Sequence, residues 1–137
     1  MKEAFQAALL AGASFAPTEP PDGFGPLWNS YKSDGQRCRG WFHHLSPERA
    51  EWSISIHDFT MRGDFVMDTD PPDYLTVTWF KSIAGEEFSP YRKLKPDSIW
   101  GQSIGGGPWR GVAHGGIPVQ SVSIEISQDF SEKFLEQ

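Results

Sequence analysis

Residues 118–126 read PVQSVSIEI, and the order of these nine residues decides the fold. Val122, Ile124 and Ile126 alternate with Ser121, Ser123 and Glu125. A period of two belongs to a strand with one face against a core. The spacing predicts that Val122, Ile124 and Ile126 face inward and that Ser121, Ser123 and Glu125 face out. From Ser127 the pattern changes. QDFSEKFLEQ (128–137) sets Phe130 and Phe134 one helical turn apart, and with Leu135 they form an apolar stripe.

The same alternation recurs upstream. In WSISIHDF (52–59), Trp52, Ile54 and Ile56 point one way and Ser53, Ser55 and His57 the other. Asp58 then falls on the apolar face, a costly place for a carboxylate, and a bulge near His57 would swing it out. YLTVTWFK (74–81) is β-favouring from Tyr74 to Phe80. QRCRGWFHH (36–44) places Arg37, Arg39, Trp41 and His43 on one face, and Cys38, Gly40, Phe42 and His44 on the other. MRGDFVMDTD, SIWGQSIGGG and PWRGVAH supply further strands, while SIAGEEFSPYRKLKPD reads as a long connection turning at Ala84-Gly85. Roughly six to eight short strands with frequent turn signals and no βαβ alternation predict an all-β antiparallel barrel or sandwich.

Ahead of the strands, Ala4, Phe5, Ala8 and Leu9 fit one face of a short helix. Pro17, Pro20, Pro21 and Pro26 follow, and proline lacks the N–H that a sheet ladder uses, so this stretch reads as an extended arm. The expected organisation is a helix and arm over 1–35, a barrel over 36–126, and a helix beginning at 127–137.

Composition excludes several classes. The 137 residues carry a net charge of −6, and the densest basic cluster, Arg92, Lys93 and Lys95, is too small to track a phosphate backbone, so direct DNA binding is not expected. The single cysteine, Cys38, forbids an internal disulfide and reads as a small buried hydrophobe. No stretch reaches the ~20 apolar residues of a membrane helix, and the N-terminus lacks the pattern of a secretory leader. A cytoplasmic domain is expected.

Six Trp and ten Phe are the unusual class. Trp41, Trp79, Trp100 and Trp109 sit on separate candidate strands, where rings meet either as plain core or around a cavity. Arg39 and His43 share a face with Trp41 and would anchor a polar ligand; Asp58, if inward, would accept from it. These seven residues are the candidate ligand-binding set. His43 and His44 are adjacent and point to opposite faces of a strand, so they cannot share one metal ion. His114 reads as a loop or strand-end histidine with a hydrogen-bonded partner. Gly105 to Gly107 precede no helix and do not form a phosphate cradle. Neither a catalytic motif nor a metal or cofactor site is expected.

The order GWFHHLSPE, WSISIHDFTMRGDF, YLTVTWFKSIAGEEFSPY and GIPVQSVSIEISQDFSEKFLEQ resembles the amino-terminal effector-sensing domain of AraC-type transcription regulators, over residues 36–137. The resemblance implies a cupin-like barrel that binds a small effector, a sugar or an aromatic compound. It also implies a homodimer through the terminal helix (Phe130, Phe134, Leu135) or an exposed face, and contact with DNA only through a helix-turn-helix domain beyond residue 137. Two other readings stay open: a carbohydrate-binding module, and a metal-dependent cupin enzyme.

Overall fold

The computed structural model describes residues 14–49, 51–69, 74–88, 91–102 and 109–134. Within them the chain forms β1 (Ala16–Thr18), β2 (Trp28–Asp34), β3 (Cys38–Leu45), β4 (Trp52–Met61), β5 (Phe65–Thr69), β6 (Tyr74–Ser82), β7 (Gly85–Phe88), β8 (Arg92–Leu94), β9 (Ser98–Gln102), β10 (Trp109–Ala113), β11 (Val119–Ser127) and α1 (Gln128–Phe134). The larger sheet has the order β1-β2-β3-β4-β11-β6-β9 and the smaller β5-β10-β7-β8. Every pairing is antiparallel. The all-β architecture with a C-terminal helix is as the sequence predicts, while the helix expected around Ala4 to Leu9, Gly105 to Gly107 and Leu135 lie outside the described residues.

Three local expectations are corrected. The proline-rich arm contains β1 and β2, and β2 is an interior strand paired with both β1 and β3. Its prolines end at Pro26, so WNSYKSD keeps every N–H, and Pro17 sits on the edge strand, where a missing donor is tolerated. The connection after Ser82 contains β7 and β8. No bulge lies near His57, where β4 pairs in continuous register with β3 and β11. The irregularity falls instead between Gln120 and Ser121, where β11 skips Lys81 of β6.

The two sheets share one core. Phe15, Cys38, Phe42, Phe59, Met61, Ile83, Leu94 and Val119 form its buried cluster, and Phe65 and Trp109 from the smaller sheet pack against it. Gly40 lets β3 approach β4: its φ is +137°, and a Cβ there would sit 2.2 Å from the Asp58 carbonyl oxygen.

Which face of the larger sheet looks inward follows from this core. Cys38 and Phe42 share a face of β3, and the register carries that face to His57, Phe59, Ser121 and Ser123. Ser121 and Ser123 are therefore inside, and Val122, Ile124 and Ile126 outside, the reverse of the sequence expectation. Trp52, Ile54 and Ile56 are outside as well, with Leu75, Val77 and Trp79 beside them.

Candidate functional site

The inner face of the larger sheet changes character along its strands. Towards one end lie Cys38, Phe59, Met61 and Val119, all apolar and buried. In the middle, one row sets Phe42, His57 and Ser121 side by side. The next row runs His44, Ser55, Ser123, Thr78 and Trp100; the last runs Ser53, Glu125, Thr76 and Gln102. The interior is an apolar plug at one end and a hydroxyl-rich wall at the other.

The wall is knitted from strand to strand. His44 Nδ1 lies 3.1 Å from Ser55 Oγ, and Thr78 Oγ1 lies 2.8 Å from Ser123 Oγ. Ser53 donates to Glu125 Oε2 at 3.3 Å. His57 Nδ1 is 3.1 Å from Ser121 Oγ, and the imidazole stacks on Phe42 at 4.9 Å between ring centres. Buried serines and threonines are satisfied here by their neighbours, as desolvated hydroxyls must be. Two atoms are exceptions. Among the described residues, His57 Nε2 and Thr76 Oγ1 are buried and have no hydrogen-bond partner.

The imidazole of His57 is strongly desolvated. Protein surrounds it closely enough to push its pKa down to about 4, with the nearby His44 and His43 adding to the effect of burial. Yet the residue is only half-buried by accessible surface. Trp100 and Trp109, facing the core from β9 and β10, are likewise only partly buried.

Beside this wall the edges of the two sheets part. An open cleft of about 600 Å³ runs between β8 and β9, lined by Tyr91, Arg92, Lys93, Lys95, Ser98 and Trp100 among others. Trp100 lines the cleft and packs on the core, so the cleft abuts the interior. The Arg92 guanidinium lies 4.5 Å from the Trp100 ring centre and donates to both oxygens of Glu87, at 2.9 and 3.1 Å. Its charge is thereby matched by a carboxylate. Burial keeps the imidazole of His57 neutral at ordinary pH.

The seven candidate residues divide between the two faces. Trp100 and Trp109 are on the inside. Arg39, Trp41, His43, Asp58 and Trp79 are on the outer face of the larger sheet. There Asp58 is exposed and accepts a hydrogen bond from Gln120 at 3.2 Å. His43 is buried on that side by Phe24, whose ring centre is 5.0 Å away, and is hydrogen-bonded to Ser30 at 2.7 Å. Burial pushes its pKa down, and the Asp58 carboxylate partly offsets this. The inner groups His44, His57, Ser53, Ser55, Ser121, Ser123 and Thr78 were not singled out by sequence. One signal was present: four of the six residues in the polar phase of β4 and β11 (Ser53, Ser55, Ser121 and Ser123) are serine, whereas a solvated face is richer in Lys, Glu and Arg.

The remaining expectations are placed as follows. Cys38 is buried, and its thiol is pushed up to about 11 by that burial. His114 bonds to Glu86 at 3.1 Å, the strand-end role expected of it. Phe130 and Phe134 of α1 lie 4.7 Å apart. Among the described residues no three His, Cys, Asp or Glu side chains gather as metal ligands would. No helix among the described residues is long and apolar enough to cross a membrane.

No protein-family model matches the sequence, and no curated protein matches it significantly. Among solved structures the chain is similar to the cupin domain of Schizosaccharomyces pombe Cnp3, with a TM-score of 0.51 and 10% identity over 89% of this chain and 92% of that one. It is also similar to the AraC-like transcriptional activator CuxR, with a TM-score of 0.47 and 12% identity over 94% of this chain and 44% of that one. A third is ectoine synthase from P. lautus, with a TM-score of 0.45 and 10% identity over 76% of this chain and 67% of that one. At such identities the likeness is one of fold, and the fold is that of the cupins.

Proposed function

We propose that this chain is the effector-binding domain of an AraC-type regulator, holding a small uncharged, hydroxyl-bearing molecule against the inner wall of its barrel. The observation that carries the reading is the double role of β11. It contributes Ser121, Ser123 and Glu125 to the wall and runs directly into α1, whose first turn is capped by Ser127 Oγ accepting from the Phe130 N–H at 3.2 Å. A ligand that bonds differently to two positions of β11 therefore biases the position of α1, and with it whatever α1 joins. The resemblance of residues 36–137 to the sensing domain of such regulators supports the same reading, with a helix-turn-helix domain outside this chain as the output.

The ligand class follows from the wall. Hydroxyls and the neutral imidazole of His57 pair with hydroxyls and amides, Glu125 repels an anion, and Trp100 and Trp109 offer flat apolar surface to a sugar-like ring. Thermal unfolding with monosaccharides and polyols, aromatic acids and phosphorylated compounds tests this. A neutral hydroxylated compound is expected to raise Tm in the parent chain and not in Ser123→Val. Stabilisation by no class, or only by anions, overturns the reading.

A further inference from the structure

We propose that the cleft between β8 and β9 receives an extended acidic segment of another protein, which adds to the free edge of β9 as a further strand. This rests on neither the effector nor the regulator reading. β8 stands at one end of the smaller sheet and β9 at one end of the larger. Only residues 95–97 separate them in sequence, and a connection that short ordinarily closes a hairpin. Here the two strands do not pair with each other: β8 pairs with β7 and β9 with β6. An edge strand holds half of its N–H and C=O groups away from its one neighbour, and those groups are a template for another chain. Between the two edges lies the cleft of about 600 Å³, with residues 91–93 on one side and residues 98–101 on the other. Residues 98–101 offer about 13 Å of strand edge.

Two observations point to this occupant. Gly101 sits on the edge strand although its surroundings do not call for a glycine: its φ lies outside the left-handed region, and a Cβ there would meet only the Thr76 carbonyl oxygen, at 3.9 Å. A glycine inside a strand leaves the main chain bare for the close approach of another backbone. The second observation is charge. Arg92, Lys93 and Lys95 line the cleft, and none of the described residues lining it is acidic. The carboxylates nearby are engaged elsewhere. Glu87 holds Arg92, Glu86 accepts from the Tyr91 hydroxyl at 3.3 Å and bonds to His114, and Asp97 accepts from the Trp79 indole at 3.3 Å. Lys93 stands opposite Glu86 in the β7–β8 register, yet neither it nor Lys95 has an ion-pair partner among the described residues. On a chain of net charge −6, the cleft thus meets an acidic segment with two uncommitted cations. In strand addition the main-chain bonds supply the affinity, and the side chains beside them select the partner.

Fluorescence anisotropy with the whole chain tests this. The probe is a fluorescein-labelled decapeptide that alternates glutamate and valine. It is expected to bind, and to bind more weakly as salt rises. The same peptide with lysine in place of glutamate is expected not to bind. The double variant Lys93→Ser with Lys95→Ser changes two exposed side chains, so folding is not at stake, and is expected to weaken the acidic peptide roughly tenfold. Methylating every second backbone nitrogen of the peptide removes the donors along one of its edges. In at least one of the two possible frames this is expected to weaken binding roughly tenfold. An acidic peptide that does not bind, or that binds as before when methylated in either frame, overturns the proposal. So does citrate binding as tightly as the peptide and with the same dependence on the two lysines, which would make the cleft a small-anion site. Changes in Tm with neutral compounds test the effector reading and are read separately.

Discussion

His57 Nδ1 lies 3.1 Å from the hydroxyl of Ser121, across the β4–β11 pair, while Nε2 of the same ring is buried and bonded to nothing in the described residues. One nitrogen is anchored and the other is free. The ring is held in place from one side, with Phe42 stacked on it, and it marks where the interior turns from aromatic to hydroxyl. A hydrogen-bonding guest would relieve the cost of the unpaired nitrogen.

Stability is expected to depend on pH through this ring. The pKa of His57 falls from its ordinary 6.5 to about 4 on folding, so between these values the unfolded chain holds the extra proton. The stabilisation is complete above about pH 6.5 and is lost as pH falls towards 4, by about 3 kcal/mol in full. His43, also pushed down by burial, acts in the same sense. Urea unfolding near pH 7 and near pH 4.5 should show the loss, and His57→Gln should remove most of the difference.

Thr76→Val is expected to stabilise the ligand-free protein by about 1 kcal/mol. Its Oγ1 is buried without a partner, and replacing it by a methyl group removes an uncompensated desolvation cost while keeping the β-branched shape. Thermal unfolding checks this. A loss of more than about 1 kcal/mol would mean that the hydroxyl is satisfied by something bound inside.

Arg92→Ala is expected to cost about 3 kcal/mol or more, since it leaves the buried Glu87 carboxylate unpaired and removes the cation stacked on Trp100. Adding Glu87→Gln to Arg92→Ala should restore a large part of that loss, because no buried charge then remains. A double-mutant cycle by chemical denaturation gives the coupling.

Gly40→Ala is expected to destabilise by about 3 kcal/mol, or to prevent folding. The positive φ strains any side chain, and the new methyl group would overlap the Asp58 carbonyl and Phe59. Gly23→Ala, also at positive φ but with nothing within 4 Å, should cost distinctly less.

Much of this architecture could be read from residue order. The alternation in WSISIHDF, YLTVTWFK and VQSVSIEI marks β4, β6 and β11, because a strand's period is local and each stretch shows it over many residues. β2 was harder to see: WNSYKSD is mostly polar and follows four prolines, and it is a strand because β1 and β3 pair with it. β8 has only three residues, Arg92–Leu94, too few to carry a period. Of the candidate ligand set, Trp100 and Trp109 face the interior and the other five residues do not. The serines and His57 were missed because serine carries little propensity and gains meaning only from what it faces.

Residue order alone determined that side chains alternate, which of them share a face, and that α1 follows β11. It could not determine which face is interior, because a period of two reads the same from either side. That choice was made by the smaller sheet, whose Phe65, Trp109 and Leu94 cover the side bearing Phe42 and Phe59 and enclose the serines with them. The physical reason is that alternation is a property of a single strand, while inside and outside exist only once a second layer has closed over the first.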